Sequence, residues 1–252
     1  MQEAYVKVWV ENQISNIEFF HPQSNSLPGK LLRELAHTIE QEGKNPDSRL
    51  LLLRSSGEKA FCAGASFDEL IQIRSTEEGL HFFSGFALVI NAMRKAPKLV
   101  VAAIQGKCVG GGVGLAAAAD YAIAVQGADV KLSELAVGIG PFVVGPAVER
   151  KVGTAAFTAL AIDASSWRNS AWAHQNGLFA EVHETKEAMW QAVDKLTTRL
   201  AASSPDAMRD LKTIFWEGTH HWDNLLIDRA GISGRLILSD YSRNAIEQFK
   251  AK

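Results

Sequence analysis

The sequence predicts an α/β protein with a largely parallel sheet, on three observations. Short continuous apolar runs at residues 50–53 and 99–104 have the length and content of strands buried on both faces. Around them apolar residues recur at helical spacing, as Leu31, Leu35 and Ile39 do every four residues. Strands alternating with helices in this way argue for βαβ units. The chain has 252 residues, within reach of one large domain.

Taken in order, residues 6–10 and Ile14–Phe20 alternate apolar with polar side chains, and a short polar turn at 11–13 joins them as a hairpin. Residues 21–28 form a loop rich in Pro, Ser and Asn, and the helix carrying Leu31, Leu35 and Ile39 follows. The strand at 50–53 leads to a helix over about 79–94, which stops before Pro97. The strand at 99–104 is followed by a glycine run, an alanine-rich helix and a third strand, Tyr121–Val125. From about Thr154 onward the pattern is helical, over 167–176, 185–202, 205–216 and 240–249. Five of the six tryptophans lie in that helical part.

The totals exclude several classes. A formal net charge of -2 supplies no basic field for nucleic acid or an anionic membrane. No stretch reaches the apolar length of a membrane span, and the N-terminus carries no basic-then-apolar leader. Two cysteines, Cys62 and Cys108, do not make a disulfide framework, so a reducing, cytoplasmic setting is expected. They are expected to be packing residues. His220 and His221 are adjacent and diverge on a helix, with no acid or cysteine at ligand spacing, so no metal is expected.

Residues 106–120 read GKCVGGGVGLAAAAD, with Gly110, Gly111, Gly112 and Gly114 directly before the alanines. Such a turn points unpaired backbone N–H groups and a positive dipole end outward. A phosphate or a reaction oxyanion would be welcome there. The stretch from Gly112 to Ala117 also fits G-x-G-x-x-A, but Lys107, Cys108 and Val109 separate it from the strand, and Asp129 is late for a ribose-binding acid. Close helix packing is the remaining use of these glycines.

Two further stretches, AFCAGASFDEL at 60–70 and KLSELAVGIGPF at 131–142, stand with the glycine run in a set order and spacing. Together the three resemble the crotonase family, the enoyl-CoA hydratase/isomerase superfamily. The resemblance runs from the loop at 22–28 to the closing helix. It implies a ββα superhelical core over residues 1–195 and a helical trimerisation segment over 196–252, within one continuous domain. It also implies an acyl-CoA thioester as substrate, no permanently bound cofactor, and a homotrimer or hexamer.

By that resemblance, two backbone amides hold the thioester oxygen as it becomes an enolate, and they fall at Ala63 and Gly111. Asn25, Ser26, Leu27, Ala65 and Gly110 fall where relatives hold coenzyme A, and Lys30 and Lys107 lie within reach of its phosphates. Ser66 stands where the family usually has Asp, and a serine can cap the same turn. Hydratases of the family carry two glutamates. One position is Glu134 here; the other is Gly114. Val143 and Val144 replace a usual glycine pair. Water addition is served most simply by two carboxylates, whereas a double-bond shift needs one.

The sequence therefore points to a Δ3-Δ2-enoyl-CoA isomerase of fatty-acid metabolism, with Glu134 as the acid–base. The alternatives are a hydratase that recruits Asp68, Glu69 or Glu149, another crotonase reaction, or a non-catalytic thioester-binding subunit.

Overall fold

The computed structural model describes residues 3–250. The chain begins with a hairpin of β1 (Tyr5–Glu11) and β2 (Ile14–Phe20), paired antiparallel. Asn12 and Gln13 both have positive φ, as a two-residue hairpin turn requires. β3 (Ser26–Leu27) and α1 (Gly29–Lys44) follow, with Leu31, Leu35 and Ile39 all buried.

The next three units repeat one pattern of long strand, short strand, helix. β4 (Leu50–Ser55) is followed by β5 (Ala60–Cys62), β6 (Gly64–Ala65), the single-turn α2 (Phe67–Leu70) and α3 (Thr76–Lys95). β7 (Val100–Ile104) is followed by β8 (Lys107–Val109) and α4 (Gly111–Ala118). β9 (Tyr121–Val125) is followed by β10 (Val130–Lys131), a 3₁₀ turn (Glu134–Val137) and α5 (Gly145–Ile162).

The long strands build one sheet in the order β1-β2-β4-β7-β9-β11, parallel from β2 onward. The short strands build a second, parallel sheet in the order β10-β8-β5, and β3 pairs with β6. This is the ββα superhelix that the resemblance implied. It places the starts of α2, α4 and the 3₁₀ turn beside one another, each just beyond a short strand.

The C-terminal part holds α6 (Ser170–Gln175), β11 (Glu181–His183), α7 (Lys186–Ala201), α8 (Pro205–Phe215), α9 (Trp222–Leu236) and α10 (Asp240–Lys250). Here the structure departs from the expected pattern. The helix expected at 167–176 is shorter, because Arg168 bridges to Val130 and Asn169 caps α6. α5 starts before residue 154 and is broken at Gly153, whose φ is 76. β11 and α9 were not expected at all. α9 lies along α3, where Gly79 and Gly234 bring the two backbones together: a Cβ on Gly79 would sit 2.6 Å from the Cα of Gly234.

One large apolar core fills the space between the main sheet and its helices. A second, smaller cluster joins Leu70, Ile73, Phe82, Ile139, Ile237 and Ile246 beneath α10. Among the described residues no helix is long and apolar enough to cross a membrane.

Candidate active site

A cleft of about 790 Å³ opens where the repeats converge. β6, α3, the β8–α4 turn, the 3₁₀ turn, the start of α5, and α10 contribute its walls. Phe82, Phe83 and Phe86 of α3 give one wall an aromatic surface.

The glycine run is explained by what approaches it. Gly110 has φ 52 and ψ -112, a conformation L side chains rarely adopt, and the Glu134 Oε1 lies 3.0 Å from where its Cβ would be. A Cβ on Gly111 would meet the Phe86 ring at 2.1 Å, and one on Gly112 would meet the Cys62 carbonyl oxygen at 2.2 Å. The amides of Val113 and Gly114 donate to Gly110 O. Those of Gly111 and Gly112 open the helix, where no intrahelical acceptor exists. Gly111 also lines the cleft.

The second amide donor needs a correction. The Ala63 N–H, expected to face the substrate, donates to Asn25 O at 3.1 Å. The Ser66 N–H likewise faces β3, donating to Leu27 O at 2.9 Å. In extended chain successive amides point to opposite sides, so the Ala65 N–H turns away from β3. Gly64 makes the switch, with φ 92, and its Cβ position is 3.7 Å from Gly111 N. Ala65 lines the cleft beside Gly111. The pair of amides that can converge on one oxygen is therefore Ala65 and Gly111. One-letter code cannot show this, because a positive φ decides which amide faces inward.

Glu134 opens the 3₁₀ turn, which Gly138 closes in the left-handed conformation by donating to Glu134 O and Leu135 O. The residue is half-buried, but its Oε2 is enclosed and has no hydrogen-bond partner. Burial pushes its carboxyl up to about 7, against smaller lowering effects from its own amide and that of Ser133. A carboxyl with that pKa can both accept and return a proton near neutrality.

Among the described residues Glu134 is the only carboxyl lining the cleft. The three other candidates point elsewhere. Asp68 accepts from Gln23 Nε2 at 2.8 Å, Glu69 accepts from the Gly29 amide at 2.7 Å, and Glu149 accepts from Thr154 Oγ1 at 2.8 Å. At Gly114 a side chain would collide with Val144, whose Cγ1 lies 2.5 Å from the Cβ position.

Of the residues expected to hold coenzyme A, Ser26, Ala65 and Gly110 line the cleft. Asn25 and Leu27 do not. The Asn25 side chain accepts from His21 N and donates to Ser56 O and Ala60 O, which makes it an organiser of the loop. Leu27 is fully buried. Their carbonyls are engaged by Ala63 and Ser66.

Ser66 caps α2 by accepting from Glu69 N at 3.3 Å. Lys30 is exposed. Lys107 is exposed, with its ammonium 4.6 Å from the centre of the Trp167 ring. Trp167 and Lys131 line the cleft and carried no functional signal in the sequence. Cys62 and Cys108 are both buried, and burial raises the Cys62 thiol to about 12 and Cys108 well above its ordinary value. Among the described residues no group of three or more metal-ligating side chains comes together.

Comparison with known proteins agrees with this fold. Residues 10–229 match the family described as enoyl-CoA hydratase/isomerase. A Bacillus subtilis protein carrying an enoyl-CoA hydratase/isomerase name is 37% identical over 123 residues, 48% of this chain and 46% of that one. The matched stretch thus spans about half of that relative. A second Bacillus subtilis protein, carrying an enoyl-CoA hydratase name, is 24% identical over 249 residues, 98% of this chain and 96% of that one. Among solved structures, an enoyl-CoA hydratase from Bacillus halodurans superimposes with a TM-score of 0.89 at 20% identity, covering 97% of this chain and 99% of that one.

Proposed function

The chain belongs to the enoyl-CoA hydratase/isomerase family, and from that premise we propose that it is a Δ3-Δ2-enoyl-CoA isomerase. One observation carries this reading: Glu134 is the only carboxyl lining the cleft among the described residues, and Val144 fills the space beside Gly114. The substrate is a 3-enoyl thioester of coenzyme A, with no permanently bound cofactor.

The Ala65 and Gly111 amides receive the thioester oxygen. The ionised Glu134 takes a proton from C2. The C2–H electron pair moves toward the carbonyl, and the oxygen gains negative charge against the two amides and the start of α4. The dienolate then collapses. The C3=C4 pair takes the proton back from Glu134 at C4, and the double bond settles between C2 and C3. No water is consumed, and one carboxyl serves both steps.

A hydratase would need a second group to hold and deprotonate water, and Asp68, Glu69 and Glu149 lie outside the cleft. The same reading places the enzyme in the cytoplasm, in fatty-acid breakdown, as a homotrimer or hexamer. Leu211, Ile214 and Phe215, exposed on α8, offer apolar surface for subunit contact.

Glu134→Gln tests the assignment. Turnover of 3-hexenoyl-CoA should fall by about 10²–10⁴, the ordinary weight of acid–base catalysis, while the product 2-hexenoyl-CoA still binds. Unchanged turnover, or loss of binding along with activity in a folded variant, counts against it.

A further inference from the structure

Gly110 caps the start of α4 and its carbonyl accepts from Gly114 N at 3.3 Å, so the two glycines lie about one helical turn apart. Each is covered by a different residue. Glu134 Oε1 lies 3.0 Å from the Cβ position of Gly110, and Val144 Cγ1 and Cβ lie 2.5 Å and 2.8 Å from that of Gly114. Glu134 and Val144 therefore cover two neighbouring glycines and line the same cleft.

Val144 is held firmly in that place. It is buried at the start of α5, with its carbonyl accepting from Val148 N at 3.0 Å and the next amide, Gly145 N, donating to Pro141 O at 2.8 Å. Pro146 stiffens the first turn. A β-branched side chain has few rotamers to escape into. Ile90 Cδ1 closes the far side, 3.5 Å from the Gly114 Cβ position. Hydrocarbon thus covers Gly114, and Val144 carries that apolar surface into the cleft that Glu134 lines.

We infer that Val144 is the residue that selects the reaction: it excludes a side chain at position 114 and the water such a side chain would hold, so that a proton on Glu134 returns to the substrate it came from. The inference rests on the isomerase reading and deepens it. In the isomerisation the C2–H bond breaks and a C4–H bond forms with the same proton. In a hydration a water O–H bond breaks, oxygen bonds to C3, and C2 receives a proton. Only the second reaction needs a polar group and a water beside Glu134. Val144 is a specificity determinant; it donates and accepts no proton.

Two measurements test it. The first compares the parent with the double variant Gly114→Glu/Val144→Gly, offering 2-hexenoyl-CoA and following loss of its conjugated thioester absorbance. The double variant should hydrate about 10² faster than the parent, the low end of what an added acid–base group contributes. A double variant that still isomerises 3-hexenoyl-CoA but hydrates no faster than the parent overturns the inference.

The second covers a double variant that fails to fold. Parent and Val144→Ala isomerise 3-hexenoyl-CoA in D₂O, and deuterium at C4 is counted per product molecule. The parent should return mostly protium, and Val144→Ala should move toward full exchange. Equal incorporation in both overturns the inference. A parent that does not isomerise any 3-enoyl-CoA overturns the function itself, a result separate from either of these.

Discussion

At the scale of single residues the proposed chemistry rests on Glu134. Its carboxyl, raised to about 7 by burial, is the base only when ionised. The value of kcat/KM for 3-hexenoyl-CoA should therefore rise with pH through about 7 and level off above it. A flat profile between about pH 5 and pH 8 would contradict that role. The same shift acts on stability. An unfolded glutamate releases its proton near 4.5 and the folded one near 7, so the folded state binds more protons between those values. The Glu134 contribution to stability is then greatest below 4.5 and declines as pH rises to about 7, by up to about 3 kcal/mol. Glu134→Gln should abolish that decline, which urea unfolding at about pH 5 and pH 8 would show. Motif position singled out Glu134 and Gly111, and both line the cleft. It put the other amide at Ala63, whose N–H faces β3 instead, because the left-handed turn at Gly64 decides which amide turns inward.

At the scale of elements the periodic strands and α1 were legible, since burial on one or both faces dictates their apolar pattern. Helix ends were less so. α3 begins at Thr76 because Ser75 caps it, accepting from Glu78 N at 3.1 Å, and apolar spacing does not register a cap. α9 escaped notice because Gly231, Ser233 and Gly234 are poor helix formers. Packing outweighs propensity there, since Gly234 lets the α9 backbone touch α3 at Gly79. This gives a test with opposing signs. By propensity alone, Gly79→Ala would stabilise a helix interior by about 0.5–1 kcal/mol. The new methyl would instead meet Gly234 Cα at 2.6 Å and its carbonyl oxygen at 2.8 Å, which are backbone atoms that cannot swing aside. Gly79→Ala should therefore cost about 1–3 kcal/mol in urea unfolding. A gain in stability would show that the helices are free to separate.

At the scale of the whole molecule the C-terminal helices are bound into the core. Asp120, between α4 and β9, accepts from Val100 N, from Trp216 Nε1 at 2.8 Å and from Lys212 Nζ at 2.7 Å. Lys212 is almost fully buried and also donates to Met93 O. Burial lowers the lysine pKa and Asp120 opposes that shift. Asp120→Ala would strand a buried ammonium, so unfolding should be easier by about 3–5 kcal/mol. A loss below about 1 kcal/mol would mean that α8 is only loosely attached. None of these partners was visible in the sequence, where Asp120 and Lys212 lie far apart and only the folded chain joins them. Patterning made the parallel α/β core legible, and the ββα superhelix came from the resemblance of three motifs, each of which lies where a short strand hands over to a helix or turn.

All three scales meet in the claim that one buried carboxyl beside two free amides moves a double bond and adds no water. The measurement that tests it most directly offers the purified chain 3-hexenoyl-CoA and, separately, 2-hexenoyl-CoA, and follows the conjugated thioester absorbance. Absorbance should grow from the 3-enoyl substrate and persist with the 2-enoyl substrate. Steady loss of absorbance from 2-hexenoyl-CoA would mean that water is added, and would contradict it.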